Sequence, residues 1–162
     1  MAKVVLICGK ICSGKTEYAK SLLRLNHTVL LSVDEITLAL FGTDTGEEHN
    51  SMVEKTQKYL FQKSIQIIGS GINVVLDWGF WTHDDRQEAT SFYKEHGIDF
   101  EWHYLDISNE QLKRNLNKRN KEIEKKNLSF YYFDNDLAEQ FWDMFEVPLK
   151  EEIYVWVSSY TE

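Results

Sequence analysis

The chain has 162 residues, enough for one domain around one core, and 43% of them are hydrophobic. A net charge of −8 excludes a general binder of duplex DNA or RNA, which needs a basic face. The absence of any apolar run near the roughly 20 residues of a membrane span excludes a helical membrane protein, and two cysteines make no disulfide framework.

Met1-Ala2-Lys3 leads directly into Val4-Val5-Leu6-Ile7, an apolar, mostly β-branched run that reads as a buried strand. No leader is expected on this pattern, and the cytoplasm is the expected location. Gly9, Lys10, Ile11, Cys12, Ser13, Gly14, Lys15 and Thr16 then fit G-x-x-x-x-G-K-[ST], with helix-forming sequence from Gly14 to about Leu25. A strand, this loop and a helix form the setting the motif needs. Glycines let successive backbone N–H groups turn toward phosphate oxygens, and the helix N-terminus adds its positive dipole end. Lys15 is suited to neutralise the β- and γ-phosphates, and the Thr16 hydroxyl to ligate Mg²⁺. The expected ligands are ATP and Mg²⁺. Ala19, Leu22 and Leu23 are the expected inner face of the helix, with Asn26 and His27 ending it.

Thr28 to Ser32 reads as a second strand, followed by Val33-Asp34-Glu35-Ile36. In a parallel α/β sheet, ligands sit beyond the carboxyl ends of the strands, which puts Asp34 and Glu35 on the edge that carries the loop. A carboxylate there can orient an acceptor hydroxyl and take its proton. Asp34 is the first candidate base and Glu35 the alternative; Asp34 would equally serve as a helix N-cap. Residues 42–49 read as a loop and residues 50–68 as a helix, closed by Gly69-Ser70-Gly71. The third strand, Ile72 to Asp77, ends on a carboxylate placed like the aspartate that holds Mg²⁺ in nucleotide-binding folds. Trp78, Trp81 and Arg86 follow, two rings to stack on an acceptor and a guanidinium to hold an anion. A helix over 82–96 carries a Thr82/Asp85 N-cap pair.

Phe100 to Leu105 is the fourth strand and Ser108 caps the next helix. Residues 113–126 hold seven Lys or Arg side chains against Glu122 and Glu124. Such a stretch reads either as a solvated helix face or as a basic lid, placed at about 113–130, that brings Arg119 and Arg114 to a transferring phosphoryl group. A further helix begins at Asp134 or Asn135 and bears Leu137, Phe141 and Phe145; Ile153 to Val157 is the fifth strand. Strands alternating with helices predict one α/β domain over 1–162 with a parallel sheet covered on both faces.

Together these motifs resemble the small P-loop kinases related to gluconate kinase, chloramphenicol phosphotransferase, zeta toxin and the polynucleotide 5′-kinase domain, and their AAA-domain ATP-binding relatives. The resemblance rests on Gly9 to Thr16, Ser32 to Ile36, Gly71 to Trp81 with Arg86, Tyr104 to Asn120, and Phe145-Glu146-Val147-Pro148. It implies a P-loop NTPase three-layer α/β/α sandwich with a five-stranded parallel sheet in the order 2-3-1-4-5. It also implies transfer of the γ-phosphoryl group of Mg-ATP to a hydroxyl of a small molecule, with Asp34 as base. Two positions depart from the family pattern. Relatives often carry arginine where this chain has Thr37, and an earlier lid arginine where it has Asn115. These departures keep a non-catalytic ATP-binding regulator open as an alternative, and the one at Thr37 argues against a polynucleotide end as acceptor; a kinase of nucleotides or nucleic-acid 5′-ends is the further alternative.

Overall fold

The computed structural model describes residues 1–25, 27–126 and 130–158. Asn26, expected at the first helix end, and residues 127–129 of the expected lid lie outside the described residues. Five parallel strands form one sheet: β1 (Val4–Gly9), β2 (Thr28–Ser32), β3 (Asn73–Asp77), β4 (Phe100–Leu105) and β5 (Val155–Val157). Their spatial order is β2-β3-β1-β4-β5, the order the resemblance implied. Central β1 is buried along its whole length, which explains its unbroken apolar sequence.

The helices are α1 (Lys15–Leu22), α2 (Val33–Phe41), α3 (His49–Gly69), α4 (His83–Glu95), α5 (Asn109–Lys126) and α6 (Asn135–Asp143). Two cores lie on opposite faces of the sheet. One gathers Leu60, Trp78, Phe80, Tyr93, Trp102 and Phe145 against the side chains of Val4, Leu6, Val74 and Leu76. The other gathers Ala19, Leu112, Leu116, Ala138 and Trp142 against Val5, Ile7, Val75 and Leu105. Alternate residues of each strand thus feed alternate layers.

Several local expectations shift. Leu23 is exposed beyond the end of α1, because that helix stops at Leu22. Ser32, not Asp34, caps α2, its hydroxyl accepting from the Glu35 amide at 3.3 Å. The inner face of α6 carries Ala138 and Trp142 and leaves Leu137 exposed; Phe145 is buried beyond the helix end. The Thr82/Asp85 capping box forms as expected, with reciprocal bonds of 3.0 and 3.1 Å. The basic stretch is part of α5, continuous helix to Lys126 and pinned to the core by Leu112 and Leu116.

Candidate active site

The register brings three strand ends together. Ile7 pairs with Asp77, and Asp77 pairs with Ser32. The loop after β1, the carboxylate ending β3 and the start of α2 therefore share one sheet edge. Gly9 turns the chain out of β1 where a side chain has no room. A β-carbon there would stand 2.9 Å from Ser13 Oγ and 3.2 Å from the Leu105 carbonyl. Cys12 and Gly14 then take positive φ, 62° and 89°, and Gly14 leaves α1 without a side-chain cap. The uncapped amides at this end of α1 suit an anion.

Lys15 folds back over the loop, its ammonium donating to the carbonyls of Lys10 at 2.7 Å and Gly9 at 3.0 Å. Burial holds its pKa below the ordinary lysine value, and the charges of Asp77, Cys12 and Asp34 oppose that shift. Asp77 is 5% exposed and accepts from the Thr16 hydroxyl at 2.9 Å. Burial raises its pKa; Lys15 and the Thr16 bond pull it back, and Asp34 adds to the rise. Asp34 sits in the first turn of α2, exposed. Lys15, Asp77 and Asp34 are thus mutual electrostatic neighbours.

Mg²⁺ fits this donor set. Among the described residues no cluster of three or more His, Cys, Asp or Glu could cage a metal. A hydroxyl paired with one carboxylate at a phosphate-binding loop is the sparse protein share that Mg²⁺ takes when phosphates and water supply the remainder.

α5 and α6 hold the loop from outside. Asn115 Nδ2 donates to the Cys12 carbonyl at 2.8 Å, and Trp142 Nε1 to the Ile11 carbonyl at 3.0 Å. Arg119, one turn beyond Asn115, places Nη1 3.9 Å from Cys12 Sγ and donates through Nη2 to the Tyr131 carbonyl at 2.9 Å. Its guanidinium lies over the Phe133 ring, 5.2 Å from the centroid. Cys8, behind the loop, is a buried thiol pushed up to about 12, chiefly by desolvation.

Other expected site residues lie elsewhere. Arg114 is exposed and bonds Gln111 on its own helix, at 2.9 Å through Nη2. Arg86 is 3% exposed, and its guanidinium donates to the carbonyls of Phe80 and Glu146 at 2.9 Å and of Trp81 at 3.4 Å. Its Nη1 and Nη2 join the segment after β3 to the segment after α6 as a buried structural tie, with Nε left without a partner among the described residues. Trp78 is buried, stacked on Phe80 at 4.9 Å. Trp81 packs on Phe141 and lies where any Gly79 side chain would be. Glu35 is exposed on α2. Sequence reasoning missed Asn115, Trp142 and Tyr131 as parts of the site. Asn115 is detectable as the residue one helical turn before Arg119; the other two carry no local signal.

A family model described as "AAA domain" matches residues 4–130. The chain belongs to this AAA-domain family. A comparison with curated proteins found no significant match. Among solved structures, this AAA domain superposes on a candidate kinase from Chloroflexus aurantiacus with a TM-score of 0.74 at 15% identity, covering 97% of this chain and 86% of that one. A chain of the Pnkp1/Rnl/Hen1 RNA repair complex gives a TM-score of 0.71 at 20% identity, covering 88% of this chain and 43% of that one. The Mycobacterium tuberculosis APS kinase CysC, solved with AMPPNP and APS, gives 0.65 at 15% identity, with 99% and 90% covered. At these identities the likeness is one of fold, and the fold is that of the P-loop kinases.

Proposed function

We propose that this AAA domain is an ATP-dependent phosphotransferase that moves the γ-phosphoryl group of Mg-ATP to a hydroxyl of a small molecule in the cytoplasm. The observation that carries the reading is the meeting of four groups at one sheet edge: the Gly9–Thr16 loop with Lys15, the Thr16–Asp77 pair, Asp34, and Arg119. A nucleotide-binding regulator needs the first two; a transferase also needs a base and a cation for the moving group.

Loop amides and Lys15 bind the phosphates. Thr16 and Asp77 hold Mg²⁺, directly or through water, and the ion when bound spreads the negative charge of the phosphates. Asp34, exposed and an electrostatic neighbour of Lys15, orients the acceptor hydroxyl and takes its proton as the new P–O bond forms. Arg119, held by the Cys12 thiol, the Tyr131 carbonyl and the Phe133 ring, turns from them to meet the phosphoryl oxygens. A non-catalytic ATP-binding role is the second reading, favoured by one observation: Arg114 points to solvent, so one lid arginine rather than two reaches the loop.

The test is Asp34→Asn. Removing a general base lowers transfer ~10²–10⁴-fold, while ATP affinity, measured by titration calorimetry, stays within about twofold because Asp34 does not touch the loop. Equal transfer by the variant removes Asp34 from the mechanism.

A further inference from the structure

Arg119 leans on three groups, the Cys12 thiol, the Tyr131 carbonyl and the Phe133 ring, and two of them belong to the segment 131–133. The guanidinium gives up all three when it turns to the phosphoryl oxygens. Its own bonds therefore cannot hold this segment in place during the step. Asn120, the next residue of α5, bonds the same segment without the arginine: its Nδ2 donates to the Phe133 carbonyl at 2.6 Å.

The chemistry of that bond explains the residue. The Phe133 carbonyl takes only a donor, which neither leucine nor an ionised aspartate supplies. The other end of the amide, Oδ1, is buried and has no partner among the described residues. A buried oxygen without a donor lowers stability, so packing alone does not account for an asparagine here. The donor end does.

The segment is anchored on its far side as well. The Phe133 ring meets Phe141 of α6 edge-on, 5.6 Å between centroids, and Asp134 caps α6, accepting from the Leu137 amide at 2.8 Å. Trp142 of the same helix donates to the Ile11 carbonyl of the loop. Asn120 thus closes a frame that runs from the loop through α6 and Phe133 to α5. The guanidinium lies 5.2 Å over the Phe133 ring in this frame, so its turn starts beside the loop. A group held near its reacting position before the step adds no ordering cost to the barrier.

We propose that Asn120 is a positioning residue for phosphoryl transfer: its bond to the Phe133 carbonyl keeps the segment 131–133, and with it Arg119, in place beside the phosphate-binding loop. The inference rests on the phosphotransferase reading.

The test is a double-mutant cycle on transfer from γ-labelled ATP, with Mg²⁺, to a pool of uncharged, cationic and anionic hydroxyl compounds, with kcat measured on the member that takes label. Asn120→Ala is expected to lower kcat about fivefold, the worth of one hydrogen bond. KM for ATP should stay within about twofold, because the Asn120 bond reaches neither the loop nor the nucleotide. In an Arg119→Ala background the same substitution should change kcat by less than about twofold, since the group it positions is gone. Asn120→Leu keeps most of the volume without the donor; it should repeat both results, and it replaces the alanine variant if that one fails to fold. Equal losses in the two backgrounds, or no loss in either, overturn the inference and leave the transferase reading standing. No transfer by the unsubstituted protein, shown to bind ATP, overturns both.

Discussion

Arg114 and Arg119 are five residues apart, about 140° around α5 at 100° per residue. Composition groups them in one basic stretch; helix geometry separates them. Arg119 shares the face of Asn115 and turns to the loop, and Arg114 turns to solvent. Arg119→Ala is expected to lower kcat for phosphoryl transfer on the order of 10²-fold or more, in the direction measured for arginines that meet a transferring phosphoryl group. Arg114→Ala should leave kcat within about twofold. Steady-state kinetics of the two variants, side by side, checks this, and equal losses would contradict the assignment. Arg86 makes the same point in reverse. Its place downstream of a strand end suggested an anion clamp, but three backbone carbonyls claim its guanidinium. A buried carbonyl without a donor costs about 1–3 kcal/mol, so a nearby arginine is drawn inward whatever its position relative to a motif.

At the scale of elements, the P-loop is held by helices distant in sequence. Asn115 and Trp142 each cap one outward carbonyl of the loop, and neither contacts the phosphate side. Asn115→Ala and Trp142→Phe should each weaken ATP binding by ~0.5–1.5 kcal/mol, about 2- to 12-fold, with a smaller change in kcat. Fluorescence titration with a nucleotide analogue measures this, and unchanged affinity in both would show that the loop holds its shape unaided. The strands were legible because buried parallel strands are continuous apolar runs: β2 and β4 have the expected bounds. The loop and the strand-end carboxylates were legible because their chemistry is fixed by local spacing. What was hidden depends on long-range packing. Trp142 lies 131 positions from its partner, and no local pattern marks it. Of the residues expected on α6, Phe141 packs on Trp81 and Phe133 and Phe145 is buried, but Leu137 is exposed, and Ala138 and Trp142 are the buried residues of the helix.

For the whole molecule, the sheet is tied to α1 by a chain of polar side chains. Tyr18 Oη lies 2.9 Å from His103 Nδ1, His103 Nε2 lies 3.4 Å from Glu101, and Glu101 pairs with Lys3 at 2.5 Å. Burial holds the His103 pKa below its ordinary value, against the pull of Glu101. The unfolded chain therefore takes up this proton first as pH falls. Stability from neutral His103 is complete above the unfolded value near 6.5 and is lost as pH falls through the lower folded value. His103→Gln, which keeps an acceptor for Tyr18, should flatten the decline in thermal midpoint below about pH 6.5, by at most ~1.4 kcal/mol per pH unit for one proton; parallel declines would contradict this. The same sheet delivers Lys15, Asp77 and Asp34 to one edge, and the claim that this edge transfers a phosphoryl group is central. Phosphorus NMR of the protein with Mg-ATP and a pool of uncharged, cationic and anionic hydroxyl compounds tests it most directly. The account predicts ADP and a phosphate monoester in equal amounts, with Asp34→Asn forming both ~10²–10⁴-fold more slowly. ADP with free phosphate and no ester, or intact ATP despite demonstrated binding, would contradict it.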